Sequence, residues 1–193
     1  DSSAVVALMA DGLKLAGAVQ TNIGQGQDCA CDMELTVLGS GAAPVRISQS
    51  LGAGSQGCRV DGGALAVAAG RAAKVLDRGA DLVIVNKFGR IEAMGGGFRD
   101  LIAQALADGI PVIVAVAPRF RAAFDDFAGD LAQAVEPDAA LGWCRAAARP
   151  LRGRGWGRHR LAHPAGRPPA AGRLLHPRFE PRRQGPLQRG RGG

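Results

Sequence analysis

The chain has 193 residues and carries 24 Lys and Arg against 17 Asp and Glu, which gives a formal net charge of +7 at pH 7. This charge is uneven, because residues 1–144 have a net charge of −5 and residues 145–193 one of +12. The basicity of the tail therefore does not make the whole chain a nucleic-acid binder. No segment approaches the roughly 20 apolar residues of a membrane span. Four cysteines without an export signal predict a cytoplasmic protein with reduced thiols.

The first part of the chain predicts a helix, three strands and a second helix. Hydrophobic periodicity and turn residues place these elements at 2–13, 14–21, 33–38, 44–49 and 64–79. Gly39-Ser40-Gly41 separates the second strand from the third, which indicates a β-hairpin. Asp1 is not an initiator methionine, so we expect a further segment to precede it.

The second part alternates strands and helices more regularly. Strands are predicted at 81–86 and 110–117, and helices at 98–108, 119–134 and 137–148. Strands of continuous Val, Ile and Leu separated by helices are typical of a parallel sheet covered on both faces. The sequence therefore predicts an α/β domain over residues 1–148, with a mainly parallel sheet and an inserted hairpin.

Residues 149–193 have a different composition. They are rich in Arg, Gly and Pro, hold all three histidines, and show no apolar period, so we expect disorder. One interpretation is an arginine-rich tail that contacts nucleic acid or acidic partners. The other, which the composition favours, is out-of-frame translation of GC-rich DNA.

Without histidine in residues 1–144, a Ser or Cys nucleophile there lacks its usual base.

The strand predicted at 81–86 runs into a segment that can bind an anion. Ligands of open α/β sheets lie where strands end, and this strand ends at Asn86 and Lys87. Three glycines then precede the helix predicted from Phe98, whose positive end attracts anions. The predicted nucleotide or oxyanion site consists of Asn86, Lys87, Arg90, Glu92, Gly95, Gly96, Gly97 and Arg99. The alternative is a flexible loop with a solvated lysine, and Glu92 is open to a role as acid, metal ligand or Arg99 partner.

Three cysteines form a second candidate site. Cys29 and Cys31 are two residues apart, so in an extended segment both thiols point to one face. Cys58 lies in a second glycine-rich loop that could fold over the first. With an aspartate, these thiolates could hold zinc or another soft divalent metal. Redox chemistry and plain packing remain open alternatives.

Four segments of the chain resemble a known family. They are LAGAVQTN (15–22), CACDMELTVLGSG (29–41), RISQSLGAGSQGCRVD (46–61) and GADLVIVNKFGRIEAMGGGFRDLIAQALADGIPVIVAV (79–116). Together they are similar to a bacterial domain family of unknown function. This family is related to P-loop nucleoside-triphosphatases and is often labelled molybdenum ABC transporter-associated. The resemblance implies a nucleotide-hydrolase-like scaffold and partners among molybdenum-transport components.

The resemblance also bears on catalysis. In related hydrolases, the strand that matches 81–86 ends in an Asp for magnesium and a Glu that activates water, whereas this chain has Asn86 and Lys87. The resemblance also implies that the first strand of the sheet, and the phosphate-cradling loop that follows it, would come before Ser2. We therefore expect nucleotide or oxyanion binding linked to molybdenum handling, with at most weak nucleoside-triphosphatase activity. The alternative function is a non-enzymatic accessory module that depends on metal or thiols.

Overall fold

The computed structural model describes residues 2–23, 32–49 and 60–148, and the backbone of residues 173–175. Within these ranges the strands are β1 Leu15–Ile23, β2 Asp32–Val37, β3 Val45–Arg46, β4 Leu82–Phe88, β5 Val112–Val116, β6 Ala132–Ala134 and β7 Arg173–Leu175. The helices are α1 Ser2–Ala10, α2 Gly62–Leu76, α3 Arg90–Ala93, α4 Arg99–Ala107, α5 Arg121–Ala128 and α6 Ala140–Ala147. Short 3-10 turns cover Pro118–Phe120, Gly129–Leu131 and Pro137–Ala139.

The described strands form one mixed sheet in the order β3-β2-β1-β4-β5-β7-β6. The three central strands β1, β4 and β5 are parallel, whereas every pairing outside them is antiparallel. Gly17 lies in β1 opposite Ile84 of β4, with φ of +102°, and a side chain there would overlap the Ile84 carbonyl. Because β1, β4 and β5 are parallel, their carboxyl ends lie at the same edge of the sheet.

Helices pack over this central sheet because its strands are apolar on both faces. The main core joins β1, β4 and β5 to α2, α4 and α5, and includes the fully buried side chains of Phe88, Ile102 and Phe124. A second cluster joins α1 to α6 through Val5, Leu8, Cys144 and Ala148. Asp61 begins α2, since its Oδ1 accepts hydrogen bonds from the backbone N–H groups of Gly63 (2.8 Å) and Ala64 (3.0 Å).

Most predicted elements are present, and the α/β class is confirmed. The predicted hairpin corresponds to β2 and β3, and the strand predicted at 110–117 to β5. The sheet is mixed rather than mainly parallel, because β2, β3, β6 and β7 add antiparallel edges to the parallel centre. Alternation of apolar and polar residues does not reveal strand direction, so apart from the predicted hairpin the sequence did not show these antiparallel pairings.

One prediction for the chain beyond β5 was wrong. The helix predicted at 119–134 divides into a 3-10 turn, α5, a second 3-10 turn and β6, because Gly129 ends α5 with φ of +52°. The backbone of residues 173–175 pairs with both β5 and β6, and the rest of 149–193, where the sequence predicts disorder, lies outside the described residues. This pairing covers the edge that β5 would otherwise expose.

In the described part of the chain, no helix combines the length and apolarity needed to cross a membrane.

Candidate functional site

Asn86 and Lys87 lie at an irregularity in the centre of the sheet. Val85 of β4 pairs with Val114 of β5, whereas Phe88 pairs with Val116, so two residues of β4 oppose one of β5. This arrangement is a β-bulge, which re-aims side chains and is common next to ligand sites. The bulge leaves Asn86 half-buried and Lys87 exposed, and returns Phe88 to the core.

A cavity of about 140 Å³ lies against this bulge, and we call it the strand-end cavity. Its apolar wall includes Leu35, Ile47, Val60, Leu65 and Phe98. Its polar and charged lining residues are Gln20, Asn86, Lys87, Arg90, Glu92 and Arg119. The cavity therefore occupies the end of the parallel strands, which is the usual ligand position in α/β sheets.

Three cations form the charged edge of the cavity. Lys87 follows the bulge, Arg90 begins α3, and Arg119 lies in the 3-10 turn that follows β5. All three are exposed, and none forms an ion pair with another of the described residues. Their positive charge is therefore available to a ligand, apart from the contact of the Arg119 guanidinium with the Phe120 ring at 4.9 Å.

Glu92 is the buried carboxylate of this region, with 4% of its surface exposed. Its Oε2 accepts a hydrogen bond from the backbone N–H of Gly89 (2.9 Å), and its Oε1 accepts one from that of Phe98 (3.3 Å). Phe98 is the N-cap residue of α4, so the carboxylate satisfies an amide at the positive end of that helix. An internal anion thus lies where the sequence predicted that an external one would bind.

The glycine run fits around this carboxylate. Gly97 has φ of +59°, and a Cβ there would overlap Oε1 of Glu92. Gly96 faces Ile91, to which a Cβ would come within 3.2 Å. Gly95, Gly96 and Gly97 are absent from the described lining of the cavity. Their lack of side chains lets the chain close over Glu92.

Arg99 has partners on another side of the loop. Its guanidinium lies over the ring of Phe127, 4.2 Å from the centroid, and its Nη1 donates a hydrogen bond of 3.3 Å to the backbone oxygen of Glu92. Phe127 in turn stacks on Phe88 at 5.9 Å. Arg99 therefore joins α4 to α5, and its hydrogen bond is made to the main chain of Glu92.

Sequence reasoning missed two polar lining residues. Arg119 follows the carboxyl end of β5, and Gln20 lies towards the carboxyl end of β1. Both could have been found by applying the strand-end rule to each predicted strand instead of to 81–86 alone. The structure thus brings together Asn86, Lys87, Arg90 and Glu92 with residues from two neighbouring strands.

The proposed cysteine site lies outside the described residues, since Cys29, Cys31 and Cys58 all fall in the segments 24–31 and 50–59. In the described ranges, no group of three or more His, Cys, Asp or Glu could hold a metal ion. Asp32 accepts hydrogen bonds from Arg46 and from Ser48 Oγ, the latter at 3.0 Å.

Cys144 is buried, and this burial raises the pKa of its thiol to about 12.

The fold and the cavity together place the chain among α/β proteins with a concave candidate site at the ends of parallel strands. The chain belongs to the family described as "Protein of unknown function (DUF2478)", whose family model matches residues 2–143. The resemblance found in the sequence is thereby confirmed.

One curated relative is the "Molybdenum import ATP-binding protein ModC 2" of Bradyrhizobium diazoefficiens, which is 37% identical to this chain over 124 residues. The match covers 64% of this chain and 14% of the relative, so the chain spans a small part of that protein's length. No solved structure matches the chain.

Proposed function

We propose that this chain binds a nucleotide or an oxyanion in the strand-end cavity and serves a molybdenum-import system in the cytoplasm. The observation that carries the proposal is the convergence of Lys87, Arg90 and Arg119 on one cavity at the end of β4 and β5. None of these cations forms an ion pair within the described part of the chain, so their charge can attract an anion. The relative's name, which combines molybdenum import with ATP binding, supports the choice of ligand and system.

The geometry of the bulge supports a recognition role for its residues. Asn86 can both donate and accept hydrogen bonds, and Lys87 supplies three donors. The bulge directs both residues away from the regular ladder, where side chains would otherwise alternate between faces of the sheet. An anion in the cavity would thus meet an amide and an ammonium group from adjacent positions.

Binding without magnesium-dependent hydrolysis is the activity that these residues favour. Magnesium is held by carboxylates together with phosphate oxygens. Among the described lining residues the carboxylate is that of Glu92, and both of its oxygens already accept backbone hydrogen bonds. We therefore expect nucleoside-triphosphatase activity to be weak at most.

Isothermal titration calorimetry of the full chain with ATP, molybdate and inorganic phosphate tests the proposal. We expect at least one of these anions to bind, and Lys87→Gln/Arg119→Gln to weaken that binding by roughly tenfold or more, which corresponds to about 1.4 kcal/mol. Lys74→Gln is the matched control, because Lys74 is an exposed lysine of α2 that does not line the cavity.

The control variant should bind as the unmodified chain does. If none of the three anions binds, the proposed ligands are wrong, and if Lys74→Gln weakens binding as much as the double variant, the cavity is not the place where the anion binds. ATP hydrolysis with magnesium at an ordinary enzymatic rate would contradict the expectation of weak activity.

A further inference from the structure

The strand-end cavity has chemically different sides. Lys87, Arg90 and Arg119 supply positive charge at its edge, whereas most of the remaining wall is hydrocarbon. Leu35, Ile47, Leu65 and Phe98 are each at least 93% buried, so this wall belongs to the core rather than to a hydrated surface. A ligand that fills the cavity must match both sides.

A bare tetrahedral oxyanion does not fit such a wall. Its four oxygens all need hydrogen-bond donors or water, and contact with hydrocarbon strips water from them without replacement. Among the described lining side chains, the donors are those of Gln20, Asn86 and the three cations, and the Gln20 amide already donates to Asn22 Oδ1 at 2.8 Å. A small oxyanion would bind at the edge and leave the apolar wall unused.

The size of the cavity indicates what its apolar part can hold. A cavity of roughly 150 Å³ with an apolar lining binds a benzene ring in another protein, and the strand-end cavity has about 140 Å³. Burial of a ring against Leu65 and Phe98 would be favourable because it removes apolar surface from water. The wall therefore has room for one ring-sized apolar group.

We propose that the ligand of the strand-end cavity is an organic anion, in which a ring-sized apolar group directly adjoins the charged group. The ring lies against Leu35, Ile47 and Leu65, and the anionic group meets Lys87, Arg90 and Arg119. This inference rests on the proposed function, because it specifies the kind of anion that the same site takes. It excludes molybdate and phosphate as the preferred ligands.

Phenylphosphonate and methylphosphonate test the inference, because they share one anionic group and differ in the apolar group alone. In calorimetric titrations of the full chain, we expect phenylphosphonate to bind at least tenfold more tightly than methylphosphonate, molybdate or inorganic phosphate. Benzyl alcohol, which has the ring without the charge, should bind at least tenfold more weakly than phenylphosphonate.

Two cavity-filling variants locate the ring. Leu65→Phe and Val60→Leu both reduce the space beside the apolar wall, and Val60 is only half-buried, so Val60→Leu leaves the core in place. We expect each folded variant to lower the affinity for phenylphosphonate towards that for methylphosphonate, with methylphosphonate affinity unchanged. Unchanged phenylphosphonate affinity in both variants would overturn the inference.

The remaining outcomes separate this inference from the proposed function. Equal affinities for phenylphosphonate and methylphosphonate, or tighter binding of molybdate, would overturn the inference and leave the anion site standing. Benzyl alcohol binding as tightly as phenylphosphonate would show an apolar cavity that does not select for charge, which also overturns it. If no anion binds at all, the proposed function fails together with the inference.

Discussion

The backbone N–H of Phe98 donates a hydrogen bond of 3.3 Å to Oε1 of Glu92, six residues earlier in the chain. This bond ties the start of α4 to α3, and the 2.9 Å bond from the Gly89 N–H to Oε2 ties α3 to the end of β4. One buried carboxylate thus holds together the strand end and the two helices that follow it. This connection joins the elements that carry Lys87 and Arg90.

Glu92→Gln should destabilise the fold. The amide retains one neutral oxygen, so one of the two backbone N–H groups loses its acceptor and the other keeps only an uncharged one. Hydrogen bonds to charged groups contribute about 1.5–3 kcal/mol each. We expect the free energy of unfolding, measured by urea denaturation, to fall by roughly 2 kcal/mol.

Asp126→Asn is the control for this change of charge, since Asp126 is exposed on α5. Its free energy of unfolding should stay within about 0.5 kcal/mol of the original value. Equal effects of the two variants would mean that Glu92 does not hold the loop.

Gly97→Ala should be more damaging than a positive φ alone explains. A left-handed conformation costs an ordinary residue roughly 1–2 kcal/mol, and at Gly97 the new Cβ would also overlap Glu92. Gly41 has φ of +65°, and a Cβ there would have no heavy atom within 4 Å, so Gly41→Ala measures the first cost alone. We expect urea denaturation to show a loss for Gly97→Ala that exceeds the loss for Gly41→Ala by at least about 1 kcal/mol.

The same pair of sites should be coupled. Once Gly97→Ala has displaced the carboxylate, the further change Glu92→Gln removes hydrogen bonds that are already disturbed. The double variant should therefore be more stable than the sum of the single effects predicts, by about 1 kcal/mol in a double-mutant cycle. Strict additivity would argue against contact between these residues.

Lys87 and Arg99 should respond in opposite ways to neutralisation. Arg99 packs on Phe127 and bonds to the Glu92 carbonyl, so Arg99→Gln should lower the free energy of unfolding by about 1–2 kcal/mol and change anion affinity less than twofold. Lys87 is exposed at the cavity, so Lys87→Gln should weaken anion binding at least fivefold without loss of stability. Calorimetry measures the anion affinity of both variants, and urea denaturation measures their free energy of unfolding. If Arg99→Gln weakens anion binding and Lys87→Gln lowers stability, Arg99 is the anion ligand and Lys87 the structural residue.

Cys144 should make stability depend on alkaline pH. Burial raises the pKa of its thiol from 9.0 to about 12, so above pH 9 the unfolded chain loses a proton that the folded chain retains. Stability from this thiol is complete below pH 9 and declines as pH rises towards 12, by up to about 1.4 kcal/mol per pH unit. The stability advantage of the original chain over Cys144→Ala, measured by urea denaturation, should therefore shrink by roughly 1.4 kcal/mol between pH 8 and pH 10. A constant advantage would mean that the thiol ionises equally in both states.

The sequence predicted the parts of this structure that depend on local pattern. Apolar runs located β4 and β5, and the rule that ligands bind at strand ends located Asn86 and Lys87. The bulge at these two residues could not be read from the sequence, because it depends on the register between β4 and β5. Arg119 was within reach of the same strand-end rule, because it follows the strand predicted at 110–117, but which strand lies beside β4 could not be read from the sequence.

The role of the glycine run was also beyond sequence reasoning. Three glycines before a helix are typical of an anion site, and the pattern alone does not show that a side chain of the same chain supplies the anion. Glu92 lies five residues before Gly97, and only the turn formed by α3 brings its carboxylate to the Phe98 amide. The local charge at the helix end is therefore already neutralised, and the cations nearer the cavity carry the proposed recognition.

The most direct test of the central claim is a map of backbone amide shifts in 1H–15N NMR spectra of the full chain during titration with phenylphosphonate. If the anion binds in the strand-end cavity, the largest shifts will be those of Lys87, Gly89, Arg90 and Arg119, and the amides of Lys74 and Arg78 will not move. Shifts centred on Lys74 and Arg78, or a titration that moves no amide at the ends of β4 and β5, would contradict the account.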